Sequence, residues 1–348
     1  MKKILILICF CLALSGCSGT AEQNDTVLEM QKFQIQYLDV FDTVTELTVY
    51  AESEDKANEY FDAVHEELLE LHKLFDPYNT YDGINNLKTI NDNAGGDFIK
   101  VKEPLFYAVL YGEEAYEKTG GTINIAMGAT LELWHKYRDD ALDNGIIAVP
   151  SSEELEATRP LNDISALVYN TADHSVKLTK KGVMLNLGAI AKGYASDRAI
   201  ALLKEKGCDS ALVNLGGNVA CYRGSAKDSP WKIGVQNAVD PENITEIIKK
   251  DNGFLISSGD YQRYYEYEGK RYHHIIDPVT LMPADGKRGT TVICGDDVSC
   301  ADGDLLSTAL FILPREKADE LAKKYNVEQV YYTDTDGNIT TLFPTQQQ

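Results

Sequence analysis

The stretch from residue 209 to residue 276 constrains the fold most. Its β-rich runs at 209–215, 230–236, 253–257 and 261–276 succeed one another with no helix-periodic segment between them. A parallel pair needs a crossover of about a dozen residues or more, usually a helix, whereas antiparallel neighbours need only a turn. A largely antiparallel sheet is therefore expected. Helix-patterned segments lie before and after it, so the chain reads as α+β, an antiparallel sheet with packed helices, and not as a doubly wound parallel sheet.

From Glu54 to Phe75, the residues Ala57, Phe61, Val64, Leu68, Leu71 and Phe75 recur at three- and four-residue steps, which predicts an amphipathic helix. Further helices are expected over 103–119, from the Ser-x-x-Glu capping pattern at Ser151, over ADGDLLSTALFIL and over 315–325. FQIQYLDVFDTVTELTVYA (33–51) reads as a strand or hairpin, 164–179 as two short strands, and VEQVYYTD with NITTLFP as a closing hairpin. The turn-rich DPYNTYDGINNLKTINDNAGG reads as an irregular loop, a place where binding residues gather or simply a connection.

The chain opens MKKILILICFCLALSGC, with Lys2 and Lys3 ahead of an apolar run from Ile4 to Leu14. That run is shorter than the roughly 20 residues of a membrane helix, so residues 1–16 read as a signal peptide. The ending LSGC resembles the bacterial lipobox and implies lipidation of Cys17; a plain signal peptide with a chance cysteine is the other reading. Residues 17–32 would then be a polar tether and 33–345 the folded domain, held outside the cytoplasm on the cell membrane by its lipid. A net charge of −21 with no basic stripe excludes a nucleic-acid partner. Any phosphate must be held locally, by backbone donors, single lysines or a metal. Cys208, Cys221, Cys294 and Cys300 show no CxxC spacing, so no zinc or redox motif emerges, and disulfides among them remain open.

In LNLGAIAKGYASDRAI, Lys192 sits between Ala191 and Gly193 where an apolar run turns into a helix. The first N–H groups of a helix lack partners and favour an anion, so Lys192 could meet a phosphate there; it could equally be a solvated lysine beside a tight turn. The order of lysine and glycine does not fit a P-loop, and no GxGxxG follows a strand. VNLGGNV ends a strand in two glycines, either a close approach to a ligand or an ordinary turn. In SSGDYQRYYEYEGKRYHHIIDP the neighbours His273 and His274 point to opposite faces of a strand, so only one can serve a given site. Asp304 and Thr308 lie four apart on one helix face, a spacing that suits a hard cation such as Mg²⁺, although each also has ordinary structural uses near a helix start.

Taken in order, VFDT, FDPYNTYDGINNLKTIN, GGTINIAMGATLELWH, LNLGAIAKGYASDRA, VNLGGNV, SSGDYQRYY with HHIIDP, and DGDLLSTALF resemble the successive motifs of the ApbE family, the FAD:protein FMN transferases, over residues 36–315. The resemblance implies flavin contacts from Phe41, Tyr78, Thr122, Ile123, Asn124, Asn186, Lys192 and Ile276, and a metal held by Asp304, Thr308 and the carbonyl of Ala189. Ile123-Asn124 and Asn186 depart from the family pattern by replacing carboxylate with amide.

The implied reaction is Mg²⁺-dependent transfer of FMN from FAD to a Thr or Ser hydroxyl of a partner protein, with release of AMP. Lys192 would grip the diphosphate. His274 is the candidate proton acceptor, with Asp277 in reserve. The acceptors implied are redox proteins of membrane complexes, Rnf- or Nqr-like, or of extracellular electron transfer. Two rival readings share the site: a metal-dependent FAD pyrophosphatase, and a non-catalytic flavin-binding lipoprotein.

Overall fold

The structure, a computed structural model, describes residues 30–225 and 229–343. The signal peptide, Cys17 and most of the tether lie outside those residues.

Along the chain, strands β1 (Gln31–Tyr37) and β2 (Thr45–Ala51) form a hairpin and lead into helix α1 (Glu54–Phe75), whose start is capped by Ser53. Short α2 (Leu87–Asp92), strand β3 (Ile99–Lys100) and α3 (Glu103–Lys118) follow, then α4 (Gly128–Asp143) and α5 (Ser152–Thr158). Strands β4 (Leu167–Asn170) and β5 (Ser175–Leu178) precede α6 (Ala191–Glu205). The strand-rich half holds β6 (Ser210–Leu215), β7 (Asn218–Tyr222), β8 (Trp231–Gln236), β9 (Ile244–Lys250), β10 (Gly253–Gly259), β11 (Tyr264–Tyr267), β12 (Lys270–His273) and β13 (Gly289–Cys294). Helices α7 (Cys300–Ile312) and α8 (Arg315–Ala322) and the pair β14 (Val327–Thr333) and β15 (Ile339–Leu342) close it.

Eight strands form one sheet in the order β1-β2-β6-β7-β10-β13-β14-β15, and each neighbouring pair is antiparallel. The fold is α+β, as expected. α1, α6 and α7 pack on one face of the sheet, where Leu47, Val64, Leu68, Leu305 and Leu310 are fully buried. Burial of each such side chain contributes about 1.5–3 kcal/mol. On the opposite face the β8–β9 ribbon lays Trp231, Ile233 and Val235 over Val219, Leu255 and Ile293. A further apolar cluster of Met127, Trp134, Tyr265 and Leu281 ties α4 to the β11–β12 hairpin.

The structure adds elements that the sequence reading did not name, α4 and β7 among them. The polar stretch after α1 contains α2, whose start Asn86 secures with a capping box and with amide hydrogen bonds to the carbonyls of Lys73 and Asn79. Those partners lie outside any local periodicity. β9 and β13 complete pairs that no short window showed. The disulfide question left open by the sequence is answered for the described residues: Cys208, Cys221, Cys294 and Cys300 are all free and buried.

One contact sets up the site. Gly193 approaches the start of α7 so closely that a Cβ there would sit 2.2 Å from the carbonyl oxygen of Cys300. Asp197, one turn further along α6, accepts the otherwise unpaired N–H groups of Cys300 (2.8 Å) and Ala301 (2.9 Å). The two helix starts are thus locked side by side.

Candidate active site

A cavity of about 550 Å³ opens between α4, the start of α6, the face of α7 and the β10–β11 loop. It has the size of a site for a nucleotide-like ligand. Lys192 stands at its wall with its Nζ 3.5 Å from Oδ1 of Asp304, which is only 2% exposed. The Gly193 N–H donates to Oδ2 of the same carboxylate at 2.9 Å, so Asp304 also caps the start of α6 from another helix. One turn on, Thr308 Oγ1 lies 3.2 Å from Ser258 Oγ, which in turn meets Ser307 Oγ at 2.8 Å. Ala189 lines the same wall.

This corner supplies only oxygen ligands: a carboxylate, hydroxyls and nearby carbonyls. Such a set fits a hard divalent cation and not a soft one. Among the described residues no group of three or more His, Cys, Asp or Glu side chains is placed to hold a metal, so a cation here would rest on one carboxylate and neutral oxygens.

Both histidines border the cavity at the end of β12, and their rings differ in their partners. His273 is buried; its Nδ1 accepts the Ile275 N–H, so Nε2 carries the proton and donates to the Ala284 carbonyl at 2.9 Å. His274 lines the cavity, and its buried Nδ1 has no hydrogen-bond partner. Burial lowers the His274 pKa to about 3, with Arg263, His273, Lys192 and Arg138 adding to the effect, and burial lowers His273 to about 4. Both rings are neutral at physiological pH, the form in which an imidazole accepts a proton.

The other expected residues divide. Tyr78, Thr122, Ile123, Asn124, Asn186 and Ile276 line the cavity. Tyr78 is set by a turn in which Asp76 accepts the N–H groups of Tyr78 and Asn79 and the Tyr81 hydroxyl. Its ring stacks on His135, with centroids 4.4 Å apart, and burial pushes its hydroxyl, which is bonded to Asn186, up to about 12. Asn124 spends both ends of its amide within the protein, on the Asn162 carbonyl and the Ala126 N–H. Asn186 accepts the Gly188 N–H and so shapes the turn before α6.

Two expectations do not reach the cavity wall. Phe41 packs on the main core and His72, and its neighbours Asp42 and Thr43 form the wall instead. Asp277 turns its carboxylate to the Val279 N–H at 2.7 Å and does not line the cavity, because the Asp-Pro turn after Ile276 uses it as a local cap. Asp277, the reserve candidate, thus stands apart from the cavity that His274 borders.

Sequence reasoning passed over Arg138, Arg263, Ser258 and the α4 pair Trp134 and His135, all of which line the cavity. Trp134, His135, Ser258 and Arg263 stood inside the family-like motifs, but no spacing rule singled them out.

The description "ApbE family" matches residues 41–331 of the chain. The FAD:protein FMN transferase of Treponema pallidum is 31% identical over 342 residues, covering 93% of this chain and 88% of that protein. The Vibrio cholerae FAD:protein FMN transferase is 26% identical over 340 residues, covering 97% and 95%. Among solved structures, the ApbE protein of Thermotoga maritima superposes with a TM-score of 0.78 at 26% identity, over 89% of this chain and 96% of that one. With the match spanning both helix starts, the β10–β11 loop and His274, the chain belongs to the ApbE family.

Proposed function

We propose that the protein transfers FMN from FAD to a Ser or Thr hydroxyl of an acceptor protein through a phosphoester bond, releasing AMP. The observation that carries this reading is the convergence of Lys192, Asp304, Thr308 and a neutral His274 on one cavity of about 550 Å³. The curated relatives named as FAD:protein FMN transferases supply the substrate class.

The FAD diphosphate would lie against Lys192 and the start of α6, where positive charge and helix polarity favour it. Tyr78 offers a stacking face for an aromatic ring of the substrate. The acceptor oxygen forms a bond to the FMN phosphorus while the bond from that phosphorus to the bridging oxygen breaks, and AMP departs with the bridging oxygen. The hydroxyl proton passes to the His274 imidazole. Asp304, Thr308 and Ala189 would hold Mg²⁺, which when bound supplies charge neutralisation to the phosphoryl oxygens. On the α4 side the cavity is lined by Trp134, whose indole N–H donates to the Leu281 carbonyl at 2.9 Å.

The leader of residues 1–16, followed by Cys17, supports export and lipid anchoring at the outer face of the cell membrane, where the acceptors would be redox proteins of membrane complexes, Rnf- or Nqr-like, or of extracellular electron transfer. Incubating the protein with FAD, Mg²⁺ and Ser- or Thr-containing proteins exported by the same cell tests the reading. A covalent gain of FMN mass on an acceptor, matched by AMP, supports transfer; free FMN with no adduct would assign hydrolysis instead.

A further inference from the structure

Three cations line the cavity, and two of them are neutralised. Lys192 faces Asp304 at 3.5 Å and Arg138 faces Asp139 at 3.4 Å. Among the described residues no carboxylate lies within ion-pair distance of Arg263. In a chain of 54 acidic and 33 basic residues, an arginine left uncompensated at a cavity wall calls for a ligand.

The surroundings of Arg263 hold it ready for one. It follows β10 on a loop with a positive φ of 47°, a conformation that costs free energy in a residue with a side chain. One of its terminal nitrogens, Nη2, donates to the carbonyls of Phe41 (3.2 Å) and Asp42 (3.1 Å), which themselves have φ of 54° and 50°. A guanidinium carries five donors in a rigid fork, so anchoring one nitrogen fixes the plane while the rest stay available. Its charge also acts on the ring groups of the cavity: after burial it is among the causes that lower the pKa of His274 and His135, and it opposes the rise that burial gives Tyr78.

We propose that Arg263 is a second anchor for the FAD diphosphate, meeting it from the β10–β11 loop as Lys192 meets it from α6. The assignment rests on the reading of this cavity as the FAD site. A bidentate guanidinium suits paired phosphate oxygens better than a point charge does. The pinned carbonyls of Phe41 and Asp42 make Arg263 a positioned donor instead of a floppy one, so little side-chain entropy is lost when the ligand arrives.

The test separates a phosphate anchor from a loop pin by comparing two ligands that share a ring system. FAD carries the diphosphate, and riboflavin carries no phosphate. Both are titrated by flavin fluorescence into the full chain, its Arg263→Gln variant and its Arg263→Lys variant. Arg263→Gln should weaken FAD by roughly 10-fold or more while riboflavin stays within about 2-fold, and Arg263→Lys should lose less FAD affinity than Arg263→Gln. Equal losses for both ligands would make Arg263 only a pin for the 41–42 turn and overturn the proposal. Unchanged FAD affinity in Arg263→Gln overturns it as well. Wild-type protein that binds riboflavin and FAD equally weakly would instead remove the FAD reading on which the assignment rests.

Discussion

Lys192 Nζ stands 3.5 Å from Asp304 Oδ1, and the N–H of the next residue, Gly193, takes the other oxygen of that carboxylate at 2.9 Å. The carboxylate is thus oriented from one side by backbone and balanced from the other by an ammonium held at ion-pair distance. A distance of 3.5 Å is an ion pair and not a tight hydrogen bond. The lysine can therefore swing to a phosphate without tearing apart the helix start, because the Gly193 contact keeps Asp304 in place.

Asp304→Asn keeps an acceptor for the Gly193 N–H but removes the charge. It is expected to fold, and to lose Mg²⁺-dependent AMP release from FAD by about 100-fold or more, since charge neutralisation dominates phosphoryl transfer. Chromatographic measurement of AMP at several Mg²⁺ concentrations decides this. Activity near the wild-type level would remove Asp304 from the reaction.

Gly193→Ala places a methyl group 2.2 Å from the Cys300 carbonyl, a distance at which backbone must move. A loss of about 1–3 kcal/mol is expected from such overpacking. Urea unfolding checks it through the midpoint. Turnover should fall as well, because the same movement separates Lys192 from Asp304.

Asp197→Ala leaves the N–H groups of Cys300 and Ala301 without their acceptor. A cap lost at a partly buried helix start costs about 1–2 kcal/mol. Hydrogen exchange at the first turn of α7 should accelerate in the variant, and equal protection in both proteins would count against the helix lock.

His273 and His274 have pKa values of about 4 and about 3 in the folded protein, set mainly by burial, against about 6.5 for an unperturbed histidine. Between those values the unfolded chain binds more protons than the folded one. Their contribution to stability is therefore complete above about pH 6.5 and is lost as pH falls toward 3, by up to about 1.4 kcal/mol per pH unit for each ring. Urea midpoints measured from pH 7 to pH 5 should drop, and His273→Gln should drop less steeply. For the reaction, the acid limb of kcat should lie below pH 6.5 if His274 accepts the proton, and His274→Gln should remove it.

Much of the fold was legible because its causes are local. The three- and four-residue spacing in α1, the Ser151 cap and the closely spaced β-rich runs each state their conformation within a short window, and together they specify an antiparallel sheet with packed helices. The shared helix face of Asp304 and Thr308 was legible for the same reason.

Three-dimensional packing decided the rest. The sequence offered His273 and His274 as alternatives, but only the turn back to Ala284 engaged the His273 ring and left His274 Nδ1 unpaired at the cavity. It offered Asp277 as a base, and the local turn claimed that carboxylate. It said nothing of Arg263, whose partners lie more than 220 residues away in the chain. A contact between distant segments depends on how closely two surfaces can approach, here on a missing side chain at Gly193, and no short window of sequence reports that distance.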